Sequence, residues 1–312
     1  MPLSVRIAVI GDLHDEWLLE EDAKALQFLK PDLVLFTGDF GNENIELVRT
    51  IAGLQMTKAA ILGNHDAWRT KRFSEREKDP VQLQLECLGD EHVGFRRLDF
   101  PTLKLSVVGG RPFSCGGKDL YRERLLKARY GISKMDESSK RIYHAARGTP
   151  DNHSVIFLAH NGPSGLGSNM DDICGRDWIP GGGDHGDPDL ENAISQLKQT
   201  TRLSVPLVVF GHMHKGLAYG GIRKMIAIRD DGTTYLNGAI LPRVWLLGSN
   251  QEICSTSSTY NGAGVESHGS CRAFTIAELL DGELAKVTET WVSVVGDKVA
   301  LEEEHTLFPP IC

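Results

Sequence analysis

Two short motifs near the start of the chain place metal-binding types of side chain directly after apolar segments. Asp12 and His14 follow the apolar residues 5–10, and Asp39 follows residues 33–37. In an extended segment residues i and i+2 project to the same side, so the Asp12 and His14 side chains can converge on one ion. Taken alone, each motif has an ordinary alternative: an Asp-x-His triplet is frequent by chance, and Asp39 could cap a following helix.

A third motif, Gly-Asn-His-Asp at residues 63–66, is more specific because it combines an amide oxygen, an imidazole and a carboxylate after another apolar segment. His160 ends one further apolar segment, and His212 and His214 end another. A single histidine at a strand end is as often a hydrogen-bonded structural residue as a ligand. Five such ends in one chain favour a shared metal site.

The spacing of apolar residues predicts the elements that position these motifs. Strands are predicted at residues 5–10, 33–37, 59–62, 154–159, 205–210, 234–237, 272–277 and 283–295, and helices at 19–30, 43–54, 135–146 and 189–199. The first part therefore alternates strand and helix. Because parallel strands need crossover connections, this order indicates an α/β sheet covered by helices, with functional loops at the carboxyl ends of the strands.

The ordered motifs DxH, GD, GNHD, H and GHxH resemble those of the calcineurin-like metallophosphoesterase superfamily over residues 10–215. The resemblance implies an α/β fold that is a four-layer α-β-β-α sandwich, with two packed mixed sheets and the metal site at the carboxyl ends of the strands. It also implies a hydrolase with two divalent metal ions. One ion would be held by Asp12, His14, Asp39 and His214, and the other by Asp39, Asn64, His160 and His212.

The implied ligands also suggest the chemistry of the site. Imidazole, carboxylate and amide oxygen suit manganese, iron or zinc, and the sequence does not choose among them. Two dications against two ligand carboxylates leave a positive site that attracts a phosphoryl group, and a metal-bound hydroxide would attack it. His65 is the candidate to give a proton to the leaving oxygen, unless it only packs or hydrogen-bonds. We expect Asp66 to support the ligands without binding metal.

The GD motif departs from the GDxVDRG motif of the phosphoprotein phosphatase branch, because Asn42 and Glu43 stand in place of its second Asp and its Arg. This disfavours a broad phosphoprotein phosphatase. Phosphate binding would then come from elsewhere, and Arg111 is the candidate. It opens the stretch 111–147, which has ten Lys or Arg and four Asp or Glu, a local charge of about +6 (ten minus four). A solvated basic helix is the alternative for most of this stretch.

Two residues of the glycine- and aspartate-rich loop at about 161–189 are further candidates for contact with substrate. Asn161 directly follows His160, and His185 lies in a Gly-Asp-His-Gly-Asp segment that could fold over the site. For His185 a structural or surface role is the alternative. We predict a single domain over residues 1–312, with this loop and a basic helical excursion at about 111–150 as its irregular parts.

Composition limits the choice of partners and compartment. Hydrophobic residues make up 41% and charged residues 24% of the chain, as in ordinary soluble proteins, and no run of about 18 apolar residues predicts a membrane span. A net charge of -8 disfavours extended nucleic acid. The six cysteines form no close pair and are predicted to be reduced thiols. The abrupt apolar start disfavours secretion. We expect a cytoplasmic protein, or an organellar one, such as one of the plastid stroma, if a transit peptide has been removed.

The most favoured function is therefore a phosphomonoesterase that acts on a small phosphorylated metabolite. A phosphodiesterase on a cyclic nucleotide or nucleic acid is the alternative reaction. A noncatalytic metal-binding scaffold is the alternative of another class, which the presence of every expected motif residue disfavours. The substrate, the metals and the oligomeric state are not fixed by the sequence.

Overall fold

Two mixed β-sheets pack face to face, and helices lie on their outer faces, in a computed structural model that describes residues 2–71, 73, 78–247 and 269–308. In chain order the strands are β1 (Ser4–Ile10), β2 (Leu33–Phe36), β3 (Lys58–Ala60), β4 (Arg97–Phe100), β5 (Leu105–Gly109), β6 (Ser154–Leu158), β7 (Leu207–Phe210), β8 (Ile226–Ile228), β9 (Thr234–Asn237), β10 (Val244–Leu246), β11 (Ser270–Leu280), β12 (Glu283–Val295) and β13 (Lys298–Phe308). The helices are α1 (Leu19–Leu29), α2 (Ile45–Ala52), α3 (Pro80–Leu88), α4 (Glu123–Tyr130), α5 (Met135–Arg147) and α6 (Pro188–Thr200).

The two sheets share a pattern of parallel central strands and antiparallel neighbours. The first has the order β13-β12-β11-β1-β2-β3, with β10 beside β11, and the second has the order β4-β5-β6-β7-β9-β8. In the first sheet β1, β2 and β3 run parallel, and β11 is antiparallel to β1. In the second sheet β5, β6, β7 and β9 run parallel between the antiparallel edge strands β4 and β8. The carboxyl ends of the parallel strands carry the predicted motifs.

Alternation along β1 shows how the sequence builds these layers. Ile7 and Val9 are buried in the core between the two sheets, which also contains Val209 of β7. Ala8 and Ile10 point the other way, into the core that the helices cover. Because side chains alternate between the two faces of a strand, an apolar run on both faces buries β1 from both sides.

The predicted fold class is confirmed, and several element boundaries are close. The strands predicted at 234–237 and 283–295 coincide with β9 and β12, and the helix predicted at 135–146 is α5. The prediction omitted the strands β4, β5, β8, β10 and β13 and the helices α3 and α4. The loop after β6 contains turns and isolated bridges up to the start of α6. The assignment of residues 1–312 to one domain stays a prediction.

Four cysteines carry free thiols in the described part of the chain: Cys87, Cys115, Cys174 and Cys271. Cys254 and Cys312 lie outside the described residues. No helix in the described part of the chain combines the length and the apolar character needed to cross a lipid bilayer.

Candidate metal centre

Loops from both sheets meet at the carboxyl ends of β1, β2, β3, β6 and β7. Backbone hydrogen bonds join these loops: the Asp12 amide donates to the Gly38 carbonyl at 3.1 Å, and the Gly211 amide donates to the His160 carbonyl at 2.8 Å. The His212 amide donates to both carboxylate oxygens of Asp12, at 3.0 and 2.9 Å. This last pair of bonds connects the first sheet to the second directly at the site.

Four of the predicted ligands lie on backbone with a positive φ, which is uncommon for residues other than glycine. The values are 52° at Asp12, 42° at His14, 53° at Asp39 and 66° at His212. A residue held in the left-handed region costs about 1–3 kcal/mol, and such residues concentrate at functional sites. The left-handed backbone at these four residues directs side chains from three loops towards the site.

Glycines beside the ligands leave the space that their carboxylates occupy. A Cβ atom at Gly63 would lie 2.3 Å from Asp39 Oδ1, and one at Gly211 would lie 2.1 Å from Asp12 Oδ2. No real Cβ atom tolerates such a distance. The glycines of the GNHD and GHxH motifs are therefore required by the packing of the site.

The first group of ligand-type atoms comes from Asp12, His14 and His214. The Nε2 atoms of His14 and His214 lie 3.1 Å apart, and His214 Nε2 is 3.6 Å from Asp12 Oδ1. Ligands that bind one ion at about 2.0–2.1 Å lie roughly 3 Å from each other, so this spacing fits one coordination sphere. Asp39 Oδ2 faces the same group, 3.8 Å from His14 Nε2.

The second group comes from Asp39, Asn64, His160 and His212. His160 Nε2 lies 2.8 Å from Asn64 Oδ1 and 3.4 Å from Asp39 Oδ1, and the rings of His160 and His212 have centroids 5.0 Å apart. Asp39 thus turns one carboxylate oxygen towards each group. That arrangement fits a carboxylate shared by two divalent cations.

The carboxylates of Asp39 and Asp12 make the pocket favourable for positive charge, as the pKa of His160 shows. Burial lowers the pKa of His160, but the Asp39 and Asp12 carboxylates outweigh burial and raise it to about 10, so the pocket strongly favours a positive charge. His160 Nδ1 donates to the Thr37 carbonyl at 2.8 Å, which turns Nε2 towards the predicted ligands. Burial, with the charge of His160 nearby, lowers the pKa of His212 to about 3.

His65 lies beside the first group, with a ring nitrogen within 4.8 Å of ligand-type atoms of His14 and Asp39. Its amide donates to Asp39 Oδ1 at 2.8 Å, and its ring centroid is 4.8 Å from that of His14. The ring stacks on Trp68 at 4.6 Å, and Nδ1 lies 2.8 Å from Asn42 Oδ1. Because an amide oxygen only accepts, Nδ1 carries the proton and Nε2 is left for another partner. Burial lowers the pKa of His65.

Asp66 is buried behind the ligand groups. Its carboxylate accepts backbone N–H bonds from Gly63 at 2.7 Å, Asp39 at 2.9 Å and Phe40 at 3.0 Å. It therefore ties the loop that carries Asp39 to the loop that carries Asn64. That Asp66 supports the ligands without binding metal stays a prediction.

Asn161 and His185 both lie near the centre, but in different surroundings. Asn161 is buried, and its Nδ2 donates to the His185 carbonyl at 2.9 Å, so its side chain supports the loop. His185 is half-buried, and its ring is nearly parallel to that of His212, with centroids 6.1 Å apart. The structure thus brings His185, and not the Asn161 side chain, to the wall of the site.

The prediction that Arg111 binds phosphate is wrong. Its guanidinium is fully buried, with Nη2 2.9 Å from Asp187 Oδ1 and Nε 2.9 Å from Asp189 Oδ2. Two carboxylates already occupy Nε and Nη2, and Nη1 is buried without a hydrogen-bond partner among the described residues, so the guanidinium is closed to a phosphate from solvent. Burial raises the pKa of Asp187 to about 6 even with Arg111 beside it, so the network depends on this guanidinium.

Arg111→Met should therefore lower the free energy of unfolding by about 3–5 kcal/mol, because it leaves two buried carboxylates without their cation. Chemical denaturation followed by circular dichroism measures this loss. Arg124→Met is the matched control, since Arg124 is exposed on α4 and should change stability little. A stable Arg111→Met protein with a raised KM would restore the phosphate-binding interpretation.

Sequence reasoning missed two tryptophans that flank the centre. Trp68 stacks on His65, and Trp178 lies edge-on to His185 at 4.9 Å, with each indole 45% exposed. The sequence feature that could have indicated them is a tryptophan in a polar loop next to a motif. A tryptophan in such a loop favours a surface role in binding.

Comparisons with known proteins found one matching sequence profile and several similar structures. The sequence profile described as Calcineurin-like phosphoesterase matches residues 5–216, about two thirds of the chain. A dimetal phosphatase from Danio rerio has a similar structure, with a TM-score of 0.50 and 12% identity, over 98% of this chain and 99% of that one. A purple acid phosphatase from yellow lupin (Lupinus luteus) seeds gives a TM-score of 0.48 and 13% identity, over 97% of this chain and 53% of its own.

The likeness to the Danio rerio protein shows the fold alone, while the profile match covers all five motifs. A search among curated proteins finds no matching sequence. The motif residues, the paired groups of His and Asp side chains and the profile match together carry the assignment. The chain belongs to the calcineurin-like phosphoesterase family and is a hydrolase that acts on phosphate esters through a dinuclear divalent metal site.

Proposed function

We propose that the protein is a phosphomonoesterase that acts on a small phosphorylated metabolite. The supporting observation is the position of Asp39, whose two carboxylate oxygens face two separate groups of ligand-type atoms. The residues that would hold one divalent ion are Asp12, His14, Asp39 and His214, and those that would hold the other are Asp39, Asn64, His160 and His212. Manganese, iron and zinc all suit this donor set.

When bound, two divalent ions would neutralise phosphoryl oxygens and acidify water. The chain's own residues prepare the site for this chemistry. The Thr37 carbonyl orients His160, and Asp66 holds the Asp39 and Asn64 loops together. As an imidazolium that donates its Nδ1 proton to Asn42, His65 would hold a second proton on Nε2 for the leaving oxygen, a charged form that burial disfavours by lowering the pKa of His65.

The surroundings of the centre support a small substrate. A cavity of about 370 Å³ adjoins His212 and His214, which suits one metabolite-sized group. Among the described residues that line it, Arg223 is the one Lys or Arg, and its Nη1 donates to three backbone carbonyls. Long nucleic acids need several free cations along their path, and this cavity offers none from its lining.

A phosphodiesterase is the second candidate, and the flanking tryptophans favour it. Trp68 lies on the His65 side of the centre, and Trp178 lies on the His185 side. A diester carries two organic groups on phosphorus, and each could stack on one indole.

One assay separates these functions. The purified protein, stripped by chelation and reloaded with manganese, iron or zinc in turn, is given phenyl phosphate and diphenyl phosphate. We expect metal-dependent release of phenol with a higher kcat/KM for the monoester. A preference for the diester would support the second candidate, and no turnover with any metal would overturn both and leave a noncatalytic scaffold.

A further inference from the structure

The cavity beside the metal centre has an unusual lining for a site that handles phosphate. Its volume is about 370 Å³, and its walls include His212 and His214, one proposed ligand of each ion, together with Trp178, His185 and Ala218. A phosphoryl group bound between the ions would therefore carry its organic group next to this cavity. The lining then decides which organic groups are accepted.

The charged side chains that line the cavity are already paired. Asp177 Oδ1 lies 3.4 Å from Arg223 Nη2, and Asp177 Oδ2 accepts from the Ala218 amide at 2.7 Å. Arg223 is buried, and its Nε donates to the His214 carbonyl at 2.9 Å. A charged organic group would lose its hydration here without gaining a partner of opposite charge, so the cavity favours a neutral group.

One wall of the cavity is flat, aromatic and held in place. The indole of Trp178 is 45% exposed, although its neighbour Asp177 is anchored by Ala218 and Arg223. The His185 ring meets the indole at 86° with centroids 4.9 Å apart, and His185 Nε2 lies 2.7 Å from the Cys115 carbonyl. An exposed aromatic face that is fixed before binding can stack on a flat ligand at little cost in entropy.

We propose that the natural substrate is a phosphomonoester of an uncharged aromatic alcohol, whose ring system lies in this cavity against Trp178. This inference rests on the proposed phosphomonoesterase function and specifies its substrate class. Stacking of one ring system on a tryptophan strengthens binding by roughly 5- to 100-fold. Trp178 would thus determine specificity while the metal ligands bind the phosphoryl group.

The test compares two monoesters on the metal-loaded enzyme: 2-naphthyl phosphate, which has a flat neutral group, and glycerol 2-phosphate, which has no ring. Trp178→Ala should raise KM for 2-naphthyl phosphate by roughly 5- to 100-fold, with KM for glycerol 2-phosphate unchanged. Trp178→Phe should recover most of the loss. Trp245→Ala is the matched control, because Trp245 is 46% exposed on β10 and does not line the cavity.

The outcomes separate this inference from the function on which it rests. If the wild-type enzyme hydrolyses both esters and Trp178→Ala changes neither KM, or changes both equally, the aromatic subsite is overturned and the phosphomonoesterase stands. If the wild-type enzyme hydrolyses neither ester, the proposed function itself fails. Should Trp178→Ala not fold, Trp178→Phe and Trp178→Leu provide the same comparison, since only the first keeps an aromatic face.

Discussion

Asp39→Ala is expected to remove both metal ions together and to abolish turnover. Its Oδ2 faces His14 and its Oδ1 faces His160, so one substitution removes a ligand from both groups. It also leaves the His65 amide without its acceptor. The loss in kcat should exceed the roughly 10²–10³-fold that removal of a single electrostatic contact costs, because both ions are lost.

Metal content measured by inductively coupled plasma mass spectrometry, beside kcat on phenyl phosphate, tests this result. Asp297→Ala is the control, because the Asp297 side chain is fully exposed in the turn between β12 and β13 and is not one of the proposed ligands. A second comparison uses Asp12→Ala. Asp12 is a proposed ligand of the first group only, and it contacts the second group through the His212 backbone amide, so this variant should keep more metal than Asp39→Ala. An Asp39→Ala protein that keeps two ions would contradict the ligand assignment.

The next largest effect is expected for His65→Ala, which should lower kcat by roughly 10²–10⁴-fold with two metal ions still bound. His65 contacts Asp39 through its amide, and the substitution keeps that bond. What the variant lacks is the ring, which Asn42 and Trp68 hold beside the first metal group. The expected result is therefore a loss of proton transfer without a loss of metal.

Substrates with different leaving groups make this test specific. A good leaving group, such as p-nitrophenol, needs less help from an acid, so His65→Ala should lose less activity on its ester than on glycerol 2-phosphate. His305→Ala is the control, because His305 is an exposed histidine on β13. Equal losses on both esters would remove the general-acid role, and a drop in metal content would make His65 a ligand.

The sequence carried enough information to find the ligand motifs because each follows a short apolar strand. It did not reveal β5, because Leu-Ser-Val-Val-Gly is a five-residue strand buried on both faces and shows neither alternation nor a helical period. It also did not reveal β13, whose exposed run of glutamates reads as a polar loop. Pairing with β12 makes this segment a strand, and that long-range contact has no local signal.

The site shows the same division between local and long-range information. Net charge around Arg111 suggested a free cation, but its partner Asp189 lies 78 residues further along the chain. No sequence feature near Arg111 predicts its pairing with Asp189. His185 and Trp178 likewise lie near the metal centre only because the loop after β6 folds back. Arg223 holds this loop in place by donating hydrogen bonds to three of the loop's backbone carbonyls. Local sequence motifs therefore identify the candidate ligands, whereas tertiary contacts determine which other residues line the site.

The pairing of β11 with β1 has a consequence for synthesis of the protein on the ribosome. β1 leads into the loop of Asp12 and His14, yet one of its two strand neighbours, β11, spans residues 270–280. Until that distant segment has left the ribosomal tunnel, the nascent chain displays an open hydrogen-bonding edge on an apolar strand, the kind of surface that invites pairing with other chains. Molecular chaperones that shield emerging β-strands would protect this intermediate.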